Sequence, residues 1–483
     1  MGRPVATGSN DARARRGCGA RSRRHRGARL VLVTSAALLL TLLLAASAEA
    51  AKSGTLLYVK RIGSTSTTEA RAYAVAAGPK GVTALAGSQE KSNTLYPMVA
   101  KYTSAGRRVW LKRYTVVDEG WADDVAFDRS GNVYVAATVR SGTSEDIVVL
   151  KYSASGDLLW VTPPAYYGGE KRYEGAVKLA VDGKGGVVVL GESDRTGLTG
   201  IVVLKCRQKN GRPAWAEPWR WDLEPSNPDA GPARAADLAL DGKGDIYVAG
   251  SYEYSGLEGA ALFKVAGAKG TKLKGDVYEP RHGDASSYEA VAVRGSSVVA
   301  TGSVWTKGVD GSRNALIVKF DRSLQMKARK EWGVGNKSEE WFYAAVIDGK
   351  GSVFVTGEQW LEDKYEKVVT MKLDAKLKKV WSKAYKPVSR YAVGQYIACD
   401  GARDIYVGGY EGFSAVQPPK SLLTIKYSAT GARKWVRAWS PGSGWSAGYP
   451  AGLVLDSKGG VYVGSYAESK AYVHQAVLLK YQR

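Results

Sequence analysis

The sequence is poor in the side chains that most enzymes use for metal binding and nucleophilic catalysis. Its 483 residues include three histidines and three cysteines. No H-x-x-H, H-E-x-x-H or C-x-x-C motif occurs, which excludes the common zinc-binding patterns. His282 and nearby Asp284 are the one pair that suggests a base with its orienting group. A lone loop histidine is more commonly a polar surface residue, so we predict no catalytic residue, no metal and no cofactor.

Residues 1–50 differ from the rest of the chain. Nine arginines lie between Arg3 and Arg29, an apolar run extends from Leu30 to Ala48, and Ala48-Glu49-Ala50 precedes Lys52. This order of basic, apolar and small residues is typical of an export signal. The apolar run approaches the length that spans a bilayer, so an uncleaved anchor is the alternative, with membrane contact through residues 30–48. We expect a signal segment outside the fold and an extracellular or cell-surface protein.

Acidic residues are the minority among the charged residues. The chain has 46 Asp and Glu against 69 Lys and Arg, a formal net charge of +23, of which residues 1–50 carry +7 and the remainder +16. A surplus of this size favours polyanionic partners such as wall polymers or anionic lipid surfaces. Because the protein is expected to be exported, we predict that it has no nucleic acid partner.

A short pattern recurs along residues 51–483. The stretch DGKGDIYVAG at 241–250 has near-copies at 128–137, 182–191, 348–357 and 456–465. Each repeat contains four short runs rich in Val, Ile and Tyr, separated by turns rich in Gly, Asp, Asn and Ser, and no run has helical periodicity. Alignment on the end of the second run defines units one to eight, marked in order by Gly87, Ala137, Gly191, Gly250, Gly302, Gly357, Gly409 and Ser465.

Four-stranded units of about 50 residues are typical of a β-propeller. The sequence therefore predicts an all-β chain in which residues 51–483 form a single eight-bladed β-propeller of four-stranded blades. Unit eight ends after its third strand, whereas GTLLYVKRIG at 54–63 aligns with the fourth-strand segment GRRVWLKRYT at 106–115. We expect this N-terminal strand to complete the last blade and close the ring, which removes an exposed sheet edge.

The ring predicts that the cysteines are unpaired. Cys206 lies on the third strand of unit three and Cys399 on the first strand of unit seven, on opposite sides of the predicted ring. A disulfide requires Cα atoms within about 7 Å of each other. Both residues are therefore expected to be free thiols.

The pattern DxxGNVYVAG…KYSASGxLLW resembles the bacterial SBBP repeat over nearly all of residues 54–483. The resemblance implies a propeller on an exported or surface bacterial protein with no agreed enzymatic activity, although the family name assumes seven blades. The stretch SGDLLW is similar to the tryptophan-docking motif of pyrroloquinoline-quinone propellers. Those enzymes have a vicinal cysteine pair and an acid-ligated calcium, and no adjacent cysteines occur here.

Charged residues also recur with the repeat. Third-strand lysines occur in all eight units and are expected to pair with an aspartate that ends the first strand in six of them, as in Lys205 and Asp182. Such a repeated element is structural rather than catalytic. Further cations on the fourth strands, such as Arg433 and Lys434, either protect the blade edges or form a cationic rim that docks on an anionic envelope.

Hairpin geometry separates two faces of the predicted ring. The tight turns after first and third strands emerge on one face, called the short-turn face, and the longer loops emerge on the other, called the long-loop face. Ligands are expected on the long-loop face. The segments that enter the first strands there contain aromatic and acidic residues, namely Glu119, Trp121, Tyr173, Glu174, Tyr288, Glu289, Glu340, Trp341, Tyr391, Trp445 and Tyr449. Such residues suit carbohydrate binding, and packing between blades is the alternative.

Three functions are compatible with these features. The first is a non-enzymatic, exported binding or scaffold module whose partner is a glycan, a cell-wall polymer or another envelope protein. The second is a glycan lyase or hydrolase that uses two acids on the long-loop face. The third is a quinoprotein-like oxidoreductase.

Overall fold

The computed structural model describes residues 52–483 except 65–67, 164–172, 195–196, 222–228, 279–284, 306–311, 336–337, 362–364 and 413–417. The predicted signal segment and the His282–Asp284 pair lie outside the described residues. Within the described part, the only helical element is a short 3-10 turn at Pro79–Gly81. No helix in that part is long and apolar enough to cross a membrane. The predicted all-β class is confirmed.

The strands follow the sequence repeat. β1 is Leu56–Ile62 and precedes unit one. Units one to four contain β2 Ala70–Ala77, β3 Thr83–Lys91, β4 Thr94–Tyr102 and β5 Arg108–Arg113; β6 Glu119–Phe127, β7 Val133–Ser141, β8 Ser144–Tyr152 and β9 Leu158–Val161; β10 Tyr173–Val181, β11 Gly186–Asp194, β12 Thr199–Arg207 and β13 Trp219–Trp221; and β14 Ala230–Leu240, β15 Ile246–Tyr254, β16 Leu257–Val265 and β17 Lys272–Tyr278.

Units five to eight continue the pattern. They contain β18 Ala285–Arg294, β19 Ser297–Trp305, β20 Arg313–Asp321 and β21 Met326–Trp332; β22 Ser338–Ile347, β23 Val353–Leu361, β24 Tyr365–Leu373 and β25 Lys379–Tyr385; β26 Ala392–Cys399, β27 Ile405–Glu411, β28 Ser421–Tyr427 and β29 Arg433–Trp439; and β30 Trp445–Ala447, β31 Gly452–Leu455, β32 Gly460–Ser469 and β33 His474–Gln482.

Strands of one unit pair antiparallel in chain order. Units two and three share one sheet through a single parallel residue pair, Tyr173 with Glu145, and units five and six through Arg313 with Glu339. In unit eight the first strand is divided, because β30 and β31 both pair with β32. The N-terminal strand β1 pairs antiparallel with β33, from Leu56 opposite Tyr481 to Ile62 opposite Ala476.

An aspartate explains why the DGKG pattern recurs. In unit eight, Asp456 Oδ1 accepts hydrogen bonds from the backbone N–H groups of Lys458 and Gly460 at 2.8 and 2.7 Å, and Oδ2 accepts one from Tyr462 Oη at 2.8 Å. The side chain thereby satisfies the donors of the tight turn between first and second strands, as expected for an Asx turn. Asp128, Asp182, Asp241 and Asp348 accept the same pair of backbone bonds.

The third-strand lysine and fourth-strand tryptophan join neighbouring units. Lys151 Nζ and Trp160 Nε1 donate to the same carbonyl oxygen, Gln208 O in the next unit, at 2.7 and 3.1 Å. The pairs Lys101 and Trp110, Lys205 and Trp215, and Lys372 and Trp381 bind the corresponding carbonyls Ala154 O, Gly267 O and Ala429 O. Lys205 also forms the expected ion pair with Asp182 at 2.7 Å, whereas Lys264 and Lys426 pair with aspartates of the turn, Asp245 and Asp404, each at 3.1 Å. The lysines therefore have the structural role that was predicted. They also donate to a backbone carbonyl of the next unit, a contact that the sequence did not indicate.

The hydrophobic core lies between successive units. One cluster joins Ala74 and Val99 of unit one to Val125, Val135 and Val148 of unit two. Another joins Leu85 and Met98 of unit one to Tyr462 and Leu478 of unit eight. Each sheet is therefore covered on its faces by its neighbours, which is how a propeller buries apolar area.

The two cysteines of the described region are free, as predicted. Cys206 lies on β12, is buried, and has its pKa raised to about 12 by that burial. Cys399 lies on β26 and is half-buried. A buried thiol with a raised pKa is unreactive, so Cys206 is a core residue.

Candidate functional site

Seven first strands contain a β-bulge at one repeated position. In unit six, Phe342 faces Gly357 and Ala344 faces Thr356, so Tyr343 is an extra residue without a cross-strand partner. The corresponding extra residues in units one to five and seven are Tyr73, Asp123, Val177, Ala236, Glu289 and Gln395. A bulge of this kind redirects a side chain, and bulges are frequent beside functional sites.

All seven extra residues line one cavity. Its volume is about 490 Å³, and its wall includes residues from the first strand of every unit, including Gly452–Val454 of unit eight. Tyr73, Asp123, Glu289, Tyr343 and Gln395 supply aromatic and hydrogen-bonding groups to this wall. One repeated backbone irregularity thus places five residues with aromatic or hydrogen-bonding side chains on the wall of a single cavity.

Asp123 is a cavity carboxylate whose pKa is raised by burial. Its Oδ2 accepts hydrogen bonds from Thr138 N and Thr138 Oγ1, both at 2.8 Å. Burial raises the pKa of Asp123 to about 8, although the bonds from Thr138 and from the side chain of Trp121 oppose that rise. Asp123 is consequently mainly protonated at neutral pH and can donate a proton or a hydrogen bond to a ligand.

A second carboxylate, Glu358, lies beside the cavity. Tyr343 Oη donates to Glu358 Oε1 at 2.6 Å. Burial raises the pKa of Glu358 to about 7, while the hydrogen bond from Tyr343 lowers it. Burial likewise raises the pKa of Glu289, whose Oε1 accepts a hydrogen bond from Ser287 Oγ at 2.8 Å.

The two other aspartates of the cavity serve the fold. Lys178 Nζ lies 3.7 Å from Asp237 Oδ1, and the charges of Asp237 and Asp124 raise the pKa of Lys178. Asp124 Oδ2 accepts a hydrogen bond from Leu179 N at 2.7 Å, and Asp237 Oδ2 accepts one from Val291 N at 3.0 Å. In both cases the donor belongs to the following unit. These bonds hold successive first strands together, so neither aspartate is a free acid or base.

Tyrosines extend from the cavity along the long-loop face. We call Tyr343, Tyr410, Tyr449 and Tyr466 the tyrosine arc. The rings of Tyr410 and Tyr449 meet edge to face, with centroids 5.1 Å apart. Tyr449 is 39% exposed, whereas Tyr410 is buried beneath it. The arc spans units six to eight; Tyr343 lines the cavity, and Tyr449 is the exposed member.

Arg71, His474 and two glutamates lie at the end of the arc. The ring centroids of Tyr466 and His474 are 5.5 Å apart, and the Arg71 guanidinium lies 6.0 Å from the centre of the Tyr466 ring. His474 Nδ1 is 3.1 Å from Glu69 Oε2, and Nε2 is 3.5 Å from Glu468 Oε2. His474 is 5% exposed, so its imidazole is enclosed by these neighbours. Because carboxylates contact both ring nitrogens, its role is to hold the surrounding side chains in place.

Three of the predicted ligand-binding residues are buried in the fold. Glu174 is fully buried, forms a 2.9 Å ion pair with Arg220, and has its pKa raised by burial. Glu340 is also fully buried and accepts a hydrogen bond from Gln359 Nε2 at 2.6 Å. Tyr288 is 2% exposed. The prediction that these three side chains form part of a ligand-binding surface is therefore wrong, because they are buried inside the protein.

The other predicted residues remain accessible to different extents. Glu289 lines the cavity and Tyr449 belongs to the arc. Trp121 is half-buried and supports Asp123, and Trp341 lies under the Arg313 guanidinium at 5.0 Å. Tyr173 is exposed, Glu119 forms a 3.0 Å ion pair with Arg140, and Tyr391 and Trp445 are half-buried. Across the described residues, no cluster of His, Cys, Asp and Glu could hold a metal ion.

Comparisons with known proteins show the architecture. No family model and no curated protein match the sequence. The chain is similar to the structure of Sqt1 from Chaetomium thermophilum, with a TM-score of 0.53 and 11% identity over 89% of this chain and 99% of that chain. It is also similar to the polysaccharide lyase Uly1, with a TM-score of 0.50 and 9% identity over 88% of this chain and 99% of that chain. At these identities the likeness shows only the fold, which is all-β and propeller-like.

Proposed function

We propose that this chain is an exported, eight-bladed propeller of the SBBP type that binds glycans at the long-loop opening of its central cavity. The convergence of seven bulge residues on one cavity carries the proposal. Tyr73 and Tyr343 on the wall and the exposed Tyr449 of the arc offer rings for sugar C–H groups. Asp123, Glu289 and Gln395 offer hydrogen-bonding partners for hydroxyl groups. A concave site with a few convergent polar groups is the usual form of a binding site.

The closed ring is part of the proposal and is supported at the junction of units eight and one. β1 adds a fourth strand beside β33. Lys480 Nζ of unit eight donates to Ser104 O of unit one at 2.5 Å, as the lysines of other units do to their successors. Trp435 Nε1 of unit seven donates to Ser53 Oγ, just before β1, at 3.0 Å. The lysine contact of the other units thus recurs across the chain ends, and Trp435 contacts a hydroxyl group there in place of a carbonyl.

Removal of one exposed ring tests the binding site. Tyr449→Ala should weaken glycan binding by about 5- to 150-fold, the range that corresponds to loss of one stacking platform of about 1–3 kcal/mol. The melting temperature should change little, because Tyr449 is 39% exposed. A binding screen with neutral and acidic glycans and wall polymers, followed by titration calorimetry on the ligand it finds, measures this effect.

Tyr472→Ala is the matched control, since Tyr472 is 72% exposed and lies outside the cavity and the arc. It should bind as the parent does. Equal affinity of the parent and Tyr449→Ala for every ligand, or an equal loss in both variants, would remove the arc from the proposal.

The raised pKa of Asp123 favours a second candidate function, cleavage of a bound glycan. Asp123 would donate its proton to the glycosidic oxygen. Glu289, a wall carboxylate that forms no ion pair with Lys178, would activate water on the opposite side of the sugar.

Reducing-sugar release should fall at least 100-fold in Asp123→Asn, and the parent's activity should decline above about pH 8, as Asp123 ionises. Asp118→Asn, an exposed aspartate outside the cavity, is the control. Absence of release by the parent, or full activity of Asp123→Asn, rejects this candidate.

A further inference from the structure

The turns between first and second strands carry a cation in every unit. Lys80, Arg129, Lys184, Lys243, Lys350 and Lys458 occupy six of them and are all exposed. Arg294 is exposed in unit five, and Arg403 is half-buried in unit seven. Because these turns join equivalent strand ends, all eight cations lie on the short-turn face, around the end of the cavity opposite the proposed glycan site.

The aspartates in the same turns do not neutralise these cations. Asp182, Asp241, Asp348 and Asp456 are buried and bind backbone N–H groups within their turns. Their compensating charges come from other residues, such as Lys205, which is 2.7 Å from Asp182. Lys184 Nζ donates to Lys243 O at 2.5 Å, but a carbonyl acceptor leaves the positive charge in place. The cations of these turns therefore give the short-turn face positive charge that the turn aspartates do not cancel.

The turns between third and fourth strands add more cations and exposed apolar side chains to this face. Arg107, Lys209, Lys269, Lys327, Lys378 and Arg433 are exposed in or beside six of these turns. The fourth strands then begin with exposed apolar residues, among them Leu57, Val109, Leu158, Leu273, Met326 and Val380, whose exposures are 40, 40, 46, 52, 53 and 55%. Apolar side chains that recur at one level between cations are unusual on a protein that faces only water.

Acidic residues in these outer turns are fewer and are partly compensated. Asp321 forms a 2.8 Å ion pair with Lys327. Asp157 accepts hydrogen bonds from Ser153 and Ser155, and Asp374 binds backbone N–H groups of its own turn. The glutamates named above, including Glu69, Glu119, Glu358 and Glu468, lie instead at the long-loop ends of their strands. On the short-turn face the turn cations and the recurring apolar residues at the starts of the fourth strands therefore lie side by side. Exposed apolar residues of the long-loop side, such as Val116, Val334 and Val388, lie in loops and do not recur at one position of the repeat.

We propose that the short-turn face docks on an anionic lipid bilayer and leaves the long-loop face directed away from it. Lysine and arginine beside a membrane are attracted by anionic headgroups, and apolar side chains at the same level enter the boundary between headgroups and acyl chains. A soluble polyanion would use the cations but not the apolar residues, so the combination favours the bilayer. This inference does not rest on glycan binding, because the two surfaces share no residue.

Vesicle sedimentation with the full chain tests the docking face. The probes are phosphatidylcholine vesicles and vesicles of phosphatidylcholine with phosphatidylglycerol. The parent should prefer the anionic vesicles, and added salt should weaken that preference, as screening requires. The variant with Lys80→Gln, Lys243→Gln, Lys350→Gln and Lys458→Gln should bind them at least 100-fold more weakly, since each lysine near the surface contributes roughly a fivefold effect.

The matched control removes four cations from the long-loop side, with Lys91→Gln, Lys386→Gln, Lys420→Gln and Lys470→Gln, and should retain most of the parent's binding. Both lysine variants keep residues 30–48, so any contribution of that apolar segment cancels in the comparison.

A further variant, Leu158→Ser with Leu159→Ser, tests the apolar contribution. It removes two exposed apolar residues and should weaken vesicle binding without changing the melting temperature.

Three results would overturn the proposal. Equal binding of the parent to neutral and anionic vesicles would show that charge is not used. Equal losses in the two lysine variants would show a net-charge effect without a docking face. Binding to soluble polyphosphate but not to anionic vesicles would replace the bilayer with a soluble polyanion.

Discussion

Removal of residues 51–65 should convert the protein into an aggregating species or lower its melting temperature by more than any single substitution discussed here. The deletion removes β1 and exposes the edge of β33 along its paired length. It also removes Ile62, which is 3% exposed, and truncation of one such side chain alone costs about 2–5 kcal/mol. An unpaired edge strand is in addition a template for association with other chains. Size-exclusion chromatography with a thermal melt measures both effects.

A synthetic peptide of residues 51–65 is the control for this deletion. Added in excess, it should restore a monomer and raise the melting temperature, because it supplies the same strand. Leu56→Ser, which changes an exposed residue of β1, should melt close to the parent. A deleted protein that stays monomeric with the parent's melting curve would show that β1 does not close the ring.

Gly357→Val should destabilise the fold by about 3 kcal/mol, the upper end of the range for overpacking. A Cβ atom at Gly357 would lie 1.8 Å from Trp341 O, a backbone atom that cannot rotate away. The close approach occurs beside the bulge at Tyr343, where the register of β22 with β23 shifts. The substitution should therefore disturb the direction of Tyr343 as well as the stability. Denaturant unfolding measures the free energy of unfolding, and glycan titration measures the site.

Gly401→Ala is the control, since a Cβ at Gly401 meets no atom within 4 Å. Gly357→Ala should be less harmful than Gly357→Val, because unit two has Ala137 at the equivalent position beside its own bulge. Parental stability of Gly357→Val would mean that the bulge adapts freely, and the structural reason for the recurring glycine would be lost.

The strand pattern could be predicted from the sequence because the repeat supplies several copies of each signal. Eight alignments of the same Val-rich runs and Asp-containing turns locate the strands better than any single run does. Even unit four, which lacks the fourth-strand tryptophan, forms its last strand at Lys272–Tyr278. Unit three departs more, since its outer strand is Trp219–Trp221 and Trp215 lies before it.

The direction of the site residues could not be predicted because it depends on the bulges. Alternation assigns neighbouring residues to opposite faces, and one extra residue shifts that assignment for the rest of the strand. In unit six, Glu340 and Trp341 were predicted as ligand residues, whereas the bulge directs Tyr343 into the cavity. In unit two, Glu119 and Trp121 were predicted, and Asp123 lines the cavity with Trp121 as its support. The glycine opposite six of the seven bulges was the available sequence signal.

Burial of Glu174 and Glu340 was unpredictable for a different reason. Their partners Arg220 and Gln359 are 46 and 19 residues away, and nothing in the local sequence indicates that either pair forms. A glutamate in a loop segment is ordinarily exposed, so its burial becomes apparent only from the folded contacts. Tyr410 and Tyr466 of the tyrosine arc were not predicted as site residues. They lie towards the ends of second strands, whereas the prediction considered only the segments that enter first strands.

Hydrogen–deuterium exchange of the full chain, with and without a glycan found in the binding screen, tests directly whether the long-loop opening of the cavity is the recognition surface. Recognition there predicts slower exchange in Ala70–Ala77, Ser338–Ile347 and the segment around Tyr449, with unchanged exchange in the turns that contain Lys243 and Lys350. Protection confined to those short turns, or to the outer fourth strands, would contradict it.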